Sequence, residues 1–116
     1  MSTRQEKINH LLKVEISDII RREIRDPKLG FVTITDASVT KDLREAIIFV
    51  SVLGDDEQKA QSLKVLWKAA GHIRGEFGRR ASMKVIPELK FRMDSAVDQG
   101  MRIFELLQQV KPHDEE

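Results

Sequence analysis

The sequence predicts a single α+β domain: an N-terminal helix, a β-hairpin, a long glycine-interrupted helical stretch, a third strand and a closing helix. Three observations predict it. Apolar residues recur at helical spacing through residues 4–25 and again from 57 to 81, β-branched residues crowd into residues 31–53, and clean alternation returns at 87–93. A chain of 116 residues suits one domain and buries roughly two-thirds of its unfolded surface, so it folds without staples.

The first helix is set by Ile8, Leu12, Ile16, Ile20 and Ile24, with Leu11 and Ile19 beside them. Thr3 and Glu6 stand at capping-box spacing, and Asp26-Pro27 ends the pattern because a residue before proline avoids the helical region. Glu15 and Glu23 break the rule, since both point into the apolar stripe. A carboxylate there needs a partner, and Arg22, Arg25 or backbone donors of the next loop are the nearest candidates, unless both side chains simply reach water at the helix edge.

Phe31 to Thr35, Ala37 to Thr40 and Ala46 to Leu53 read as an antiparallel hairpin joined by Lys41-Asp42-Leu43-Arg44. Gly54-Asp55-Asp56 stops the strand and caps the next helix, whose apolar face holds Ala60, Leu63, Leu66, Trp67 and Ala70. Glycines at 71, 75 and 78 follow inside continued helical spacing. Each costs a helix interior up to ~1 kcal/mol relative to alanine, so a kink at Gly71 and close backbone approach at Gly75 and Gly78 are expected in return. In the last strand Leu89, Phe91 and Met93 face one way and Lys90 and Arg92 the other, with Pro87 opening it. Asp94-Ser95 caps a final helix carrying Val97, Met101, Phe104, Leu107 and Val110. The domain is expected to span residues 1–110, with a short acidic disordered tail at 111–116.

Charge is unevenly distributed. The net charge is only +1, yet residues 64–92 hold eight basic groups against Glu76 and Glu88. That imbalance is the mark of one anion-seeking side. Lys64, Lys68, Arg74, Arg79, Arg80, Lys84, Lys90 and Arg92 are therefore the candidate phosphate contacts, gathered into one groove between the helices and the last strand, with Arg21, Arg22 and Arg25 as an adjoining patch. Trp67, Phe77, Phe91 and Phe104 all fall on apolar faces, leaving few rings to stack on bases. Recognition through RNA backbone and shape is expected in place of base reading.

Chemistry is poorly supplied. No cysteine is present, so disulfides, thiol nucleophiles and Cys-ligated metals are excluded. His10, His72 and His113 stand apart, and no phosphate-cradling glycine motif follows a strand. Asp55-Asp56-Glu57 is explained as a helix start rather than as an acid/base or metal site. No secretory leader is visible at the start and no apolar run approaches a membrane span, so a cytoplasmic binding protein without enzyme activity, metal or cofactor is expected.

Five segments carry a resemblance. Ile24-Arg25-Asp26-Pro27-Lys28-Leu29-Gly30, Lys41-Asp42-Leu43, Ala69-Ala70-Gly71-His72-Ile73-Arg74, Val85-Ile86-Pro87-Glu88-Leu89-Lys90-Phe91 and Gly100-Met101-Arg102 together resemble the bacterial ribosome-binding factor A family. The resemblance implies a type II KH-like fold, a three-stranded sheet covered by helices, in which the usual Gly-x-x-Gly clamp is replaced by an interhelical kink at Ala69, Ala70 and Gly71. It implies an assembly factor that binds the free small (30S) ribosomal subunit and its 16S rRNA late in maturation; a monomer is expected. Assistance with 5′-end processing, support of growth in the cold, and release by an assembly GTPase or an initiation factor come with it. The alternative from the residues alone is a protein–protein adaptor whose basic face meets an acidic partner.

Overall fold

The computed structural model describes residues 2–95, in the order α1 (Thr3–Glu23), β1 (Val32–Val39), β2 (Glu45–Val52), α2 (Asp56–Ala81) and β3 (Glu88–Met93). The closing helix and tail expected beyond Ser95 lie outside the described residues.

The start of α1 sits one residue earlier than the capping pattern suggested. Ser2 is the N-cap: its Oγ accepts from the Gln5 amide at 3.1 Å, and Gln5 Oε1 accepts from the Ser2 amide at 3.2 Å. A glutamine closes this reciprocal box as well as a glutamate does. Leu12, Ile16, Ile19 and Ile20 fill the buried face, as the spacing requires. Asn9 is buried with them and accepts from the Val39 amide at 2.8 Å, while Gln5 Nε2 donates to the Val39 carbonyl at 3.1 Å. The end of β1 is thereby pinned to α1 through both polar groups of one residue.

β1 and β2 form the expected antiparallel hairpin, and β3 lies parallel to β2, giving the sheet order β1-β2-β3. The register shifts between Ile34 and Asp36. This bulge inverts the alternation: Val32 and Ile34 face inward before it, Ala37 and Val39 after it. The connector closes on itself, with Thr40 Oγ1 donating to Asp42 at 2.8 Å and the Arg44 amide donating to the same Asp42 oxygen at 3.1 Å. Those two bonds hold the Asp42 carboxyl below its ordinary range, the Thr40 bond contributing most. They also hold Leu43 at φ 64, where its side chain drops into the core.

Both helices pack on one face of the sheet, α1 over β1 and α2 over β3. The two helical segments expected on either side of Gly71 form one unbroken element of 26 residues, capped by Asp55 through Gln58. Of the three glycines, only Gly78 makes the close approach expected of it, since a Cβ there would collide with the Ile86 side chain. Gly75 has only the Arg79 side-chain tip near it, at 3.9 Å, and Gly71 has nothing within 4 Å. In the same stretch Arg74 donates from Nη2 to the Ile86 carbonyl at 2.7 Å and from Nε to the Pro87 carbonyl at 3.1 Å, fastening α2 to the entrance of β3. At its other end the fully buried Ser62 accepts from the Gly30 amide at 2.8 Å.

Candidate nucleic-acid interface

The basic residues divide into groups with different surroundings. The largest cluster lies in the seam between α1 and α2. There Arg80 Nη1 donates to Asp18 at 2.8 Å and to Glu15 at 3.1 Å, Nη2 to Glu23 at 3.4 Å, and Nε to Glu76 at 3.2 Å. The two carboxylates that interrupt the stripe of α1 thus find their partner on the other helix, not in Arg22, Arg25 or the following loop. Arg80 is only 24% exposed, and its five N–H donors are largely committed inside the protein. It is a structural tie, which corrects its place among the phosphate contacts.

The same seam absorbs its neighbours. Asp18 also accepts from Arg21 at 2.7 Å and Arg22 at 2.8 Å, and Glu76 accepts from Arg79. Hydrogen bonds from Arg80 and then Arg22 hold the Asp18 carboxyl down at about 2, against an ordinary 3.8. Arg79 and then Arg80 lower Glu76 in the same way, and Asp18 and Glu15 in turn push Arg80 further up. His72 lies at the rim, its Nε2 2.8 Å from Glu23 Oε1. Arg25 is exposed beyond the end of α1, with Nη2 on the Arg22 carbonyl at 3.4 Å.

The strand cations are elsewhere. Leu89 and Phe91 face the core beneath α2, so Lys90 and Arg92 project from the opposite face of the sheet. Lys90 pairs with Glu88 at 3.6 Å, and Arg92 lies 5.6 Å from the centre of the Phe49 ring. The single groove expected between strand and helices does not form, because strand alternation separates what the linear sequence places together.

What remains is the part of α2 that follows its acidic first turn. From Gln58 to Gly75 the chain has Lys59, Lys64, Lys68 and Arg74 and no carboxylate at all. Lys64 and Lys68 are exposed and have no ion-pair partner among the described residues. Lys84 is likewise exposed, just past the left-handed cap at Ser82. Ala69 and Ala70 are half-buried along this stretch, and Gly71 is exposed.

Trp67 is misplaced by the sequence reading. Assigned there to the core, it is 45% exposed. The buried line of α2 is Ser62, Val65, Leu66, Ile73 and Phe77, and Trp67 stands about 100° around the helix from Leu66. The phase of that line was the signal available to place it. Phe31, 73% exposed, is a second free ring, opposite Leu53 at the open end of the hairpin. Among the described residues no group of three or more His, Asp or Glu side chains is placed to hold a metal ion, and no helix is long and apolar enough to cross a membrane.

Comparison with known proteins agrees with this architecture. The chain is 46% identical over 110 residues to the ribosome-binding factor A of Desulforamulus reducens, an alignment covering 95% of this chain and 92% of that one. The crystal structure of ribosome-binding factor A from Thermus thermophilus superposes with a TM-score of 0.68 at 22% identity, covering 77% of this chain and 94% of that one. A homology model of ribosome-binding factor A from the same organism, fitted into a cryo-EM map of a 30S complex, gives a TM-score of 0.62 at 24% identity over 72% and 88% of the two chains. The fold is the KH-like α+β arrangement of these neighbours. With the profile described as ribosome-binding factor A matching residues 4–107, nearly the whole length, the chain belongs to the ribosome-binding factor A family.

Proposed function

We propose that this protein is a cytoplasmic assembly factor that binds the free small ribosomal subunit on its 16S rRNA, with the acid-free part of α2 as the docking surface. One observation supports the choice of surface. Between Gln58 and Gly75 the helix presents cations and no carboxylate, whereas the basic residues of the α1–α2 seam are already neutralised within the protein. Phosphates are drawn to the uncompensated charge. Lys64, Lys68 and Lys84 carry the contacts in this reading, Arg74 and Arg25 add long-range attraction, and the backbone at Ala69, Ala70 and Gly71 lets RNA come close. A 30S complex is described for a relative of the same fold.

The protein acts by holding, as a monomer with residues 1–110 as its one domain and without cofactor or catalytic step. It prefers an immature arrangement of the rRNA, and that preference assists late maturation, including 5′-end processing. Equal affinity for immature and mature forms would shift nothing, so binding weakens as the subunit is completed; in this reading a GTPase or an initiation factor assists the release.

A sucrose gradient of cell lysate tests this. The wild-type chain is expected with free small subunits and is lost from them as salt rises. Lys64→Glu with Lys68→Glu is expected to stay at the top of the gradient while folding normally, with Arg79→Glu as a control that changes charge at the seam. Co-migration of the double variant with the subunit would refute the docking surface. A complex that survives nuclease would favour the adaptor reading.

A further inference from the structure

The exposed ring of Trp67 is unexplained by the core and by phosphate attraction. On a helix, positions three and four apart share a flank, so Lys64, Trp67 and Gly71 stand in one row. Helical side chains lean toward the N-terminus, and a side chain at 71 would lie over the turn that carries Trp67. Gly71 supplies none, and a Cβ built there meets nothing within 4 Å. Trp67 is 45% exposed and the space over Gly71, one turn further along, is open, on the stretch 58–75 that carries cations and no carboxylate. The glycine costs the helix up to ~1 kcal/mol, and no packing in the described residues accounts for it.

We propose that Trp67 is a stacking platform for an unpaired RNA base, with Lys64 and Lys68 holding the phosphates on either side and Gly71 leaving room for the base. This rests on the RNA-binding reading above and adds a contact to it: a single-stranded nucleotide beside the backbone contacts. A flat apolar ring among cations matches a nucleotide, which presents a π-face and a phosphate together. An acidic protein segment would satisfy the lysines and leave the ring bare.

Trp67 is the only tryptophan, so its emission reports this position alone. The intact protein is titrated at low salt with an end-labelled oligoadenylate of about ten nucleotides, a length within one single-strand binding site, and separately with an RNA duplex of the same length. Label anisotropy reports binding and tryptophan emission reports stacking. The single strand is expected to bind and quench the emission, and the duplex to leave it nearly unchanged. Trp67→Ala is expected to weaken single-strand binding roughly 5- to 150-fold, the range for loss of one base–aromatic stack, and Trp67→Phe to restore most of it. Binding without quenching, or equal binding by Trp67→Ala, overturns the stacking contact while the RNA-binding reading stands. Failure of wild-type protein to bind either the oligonucleotide or free small subunits refutes that reading itself. Binding to subunits with none to the oligonucleotide also overturns the platform.

Discussion

Arg80 Nη1 lies 2.8 Å from Asp18 Oδ2, a contact between residues 62 apart in the chain and on different helices. Three carboxylates of α1 and one of α2 converge on that guanidinium. Arg80→Met keeps the stem and removes the charge, leaving Glu15, Asp18, Glu23 and Glu76 facing one another. Its melting temperature is expected to fall by several degrees and to recover partly with added salt, which screens the repulsion. Arg79→Met, whose side chain is 68% exposed and answers only Glu76, is expected to move it little. Thermal melts of the two variants side by side check this.

The acid limb of stability follows from Asp18. Its folded-state value of about 2 is below the ordinary 3.8, so the folded state binds the proton less readily than the unfolded chain. The stabilisation is present above the ordinary carboxylate range and is lost as pH falls toward 2. Glu76, also lowered, adds to the same limb. Urea midpoints measured from pH 6 downward are expected to drop steeply in that window, and Asp18→Asn to flatten the drop while lowering the plateau.

Two glycines of α2 are expected to respond to alanine with opposite signs. Gly71 is exposed with open space around it, so Gly71→Ala is expected to stabilise by up to about 1 kcal/mol. At Gly78 the new methyl group meets Ile86, so Gly78→Ala is expected to destabilise by about 1–3 kcal/mol. Chemical denaturation of both variants decides the signs.

Salt dependence separates phosphate contacts from structural cations. Each lysine that neutralises a phosphate contributes about 1 to the log–log slope of affinity against salt. Lys64→Gln with Lys68→Gln is expected to reduce the slope for small-subunit binding by about 2, and Lys90→Gln to leave it unchanged. Filter binding across a salt series reads both.

The element order, the hairpin and the cap at Asp55 were legible because each depends on residues close together in the chain. The gap between the two β-rich runs at Asp36 even marks the bulge that reverses the facing of β1. The interface was much less legible. Glu15 and Glu23 announced that they needed a cation, yet nothing local could name Arg80, because that pairing depends on how two helices cross. Lys90 and Arg92 looked adjacent to Lys64 and Lys68 only while the sheet was imagined without sides. Gly71 suggested a kink between two helical segments, but one glycine costs less than the packing of Leu66, Ile73 and Phe77 gains, so the helical hydrogen bonding runs on as one element.

The parallel pairing of β2 with β3 has a consequence for synthesis. β2 is the middle strand, yet its second neighbour is the last of the described elements and follows the whole of α2. A nascent chain therefore displays Ile47, Ile48, Phe49 and Val50 along an open backbone edge until residues 88–93 have left the exit tunnel. Bare edges of this composition recruit other chains. A protein halted before Glu88 is expected to clump where the finished one does not, which makes the growing polypeptide, more than the mature molecule, the form that needs a chaperone.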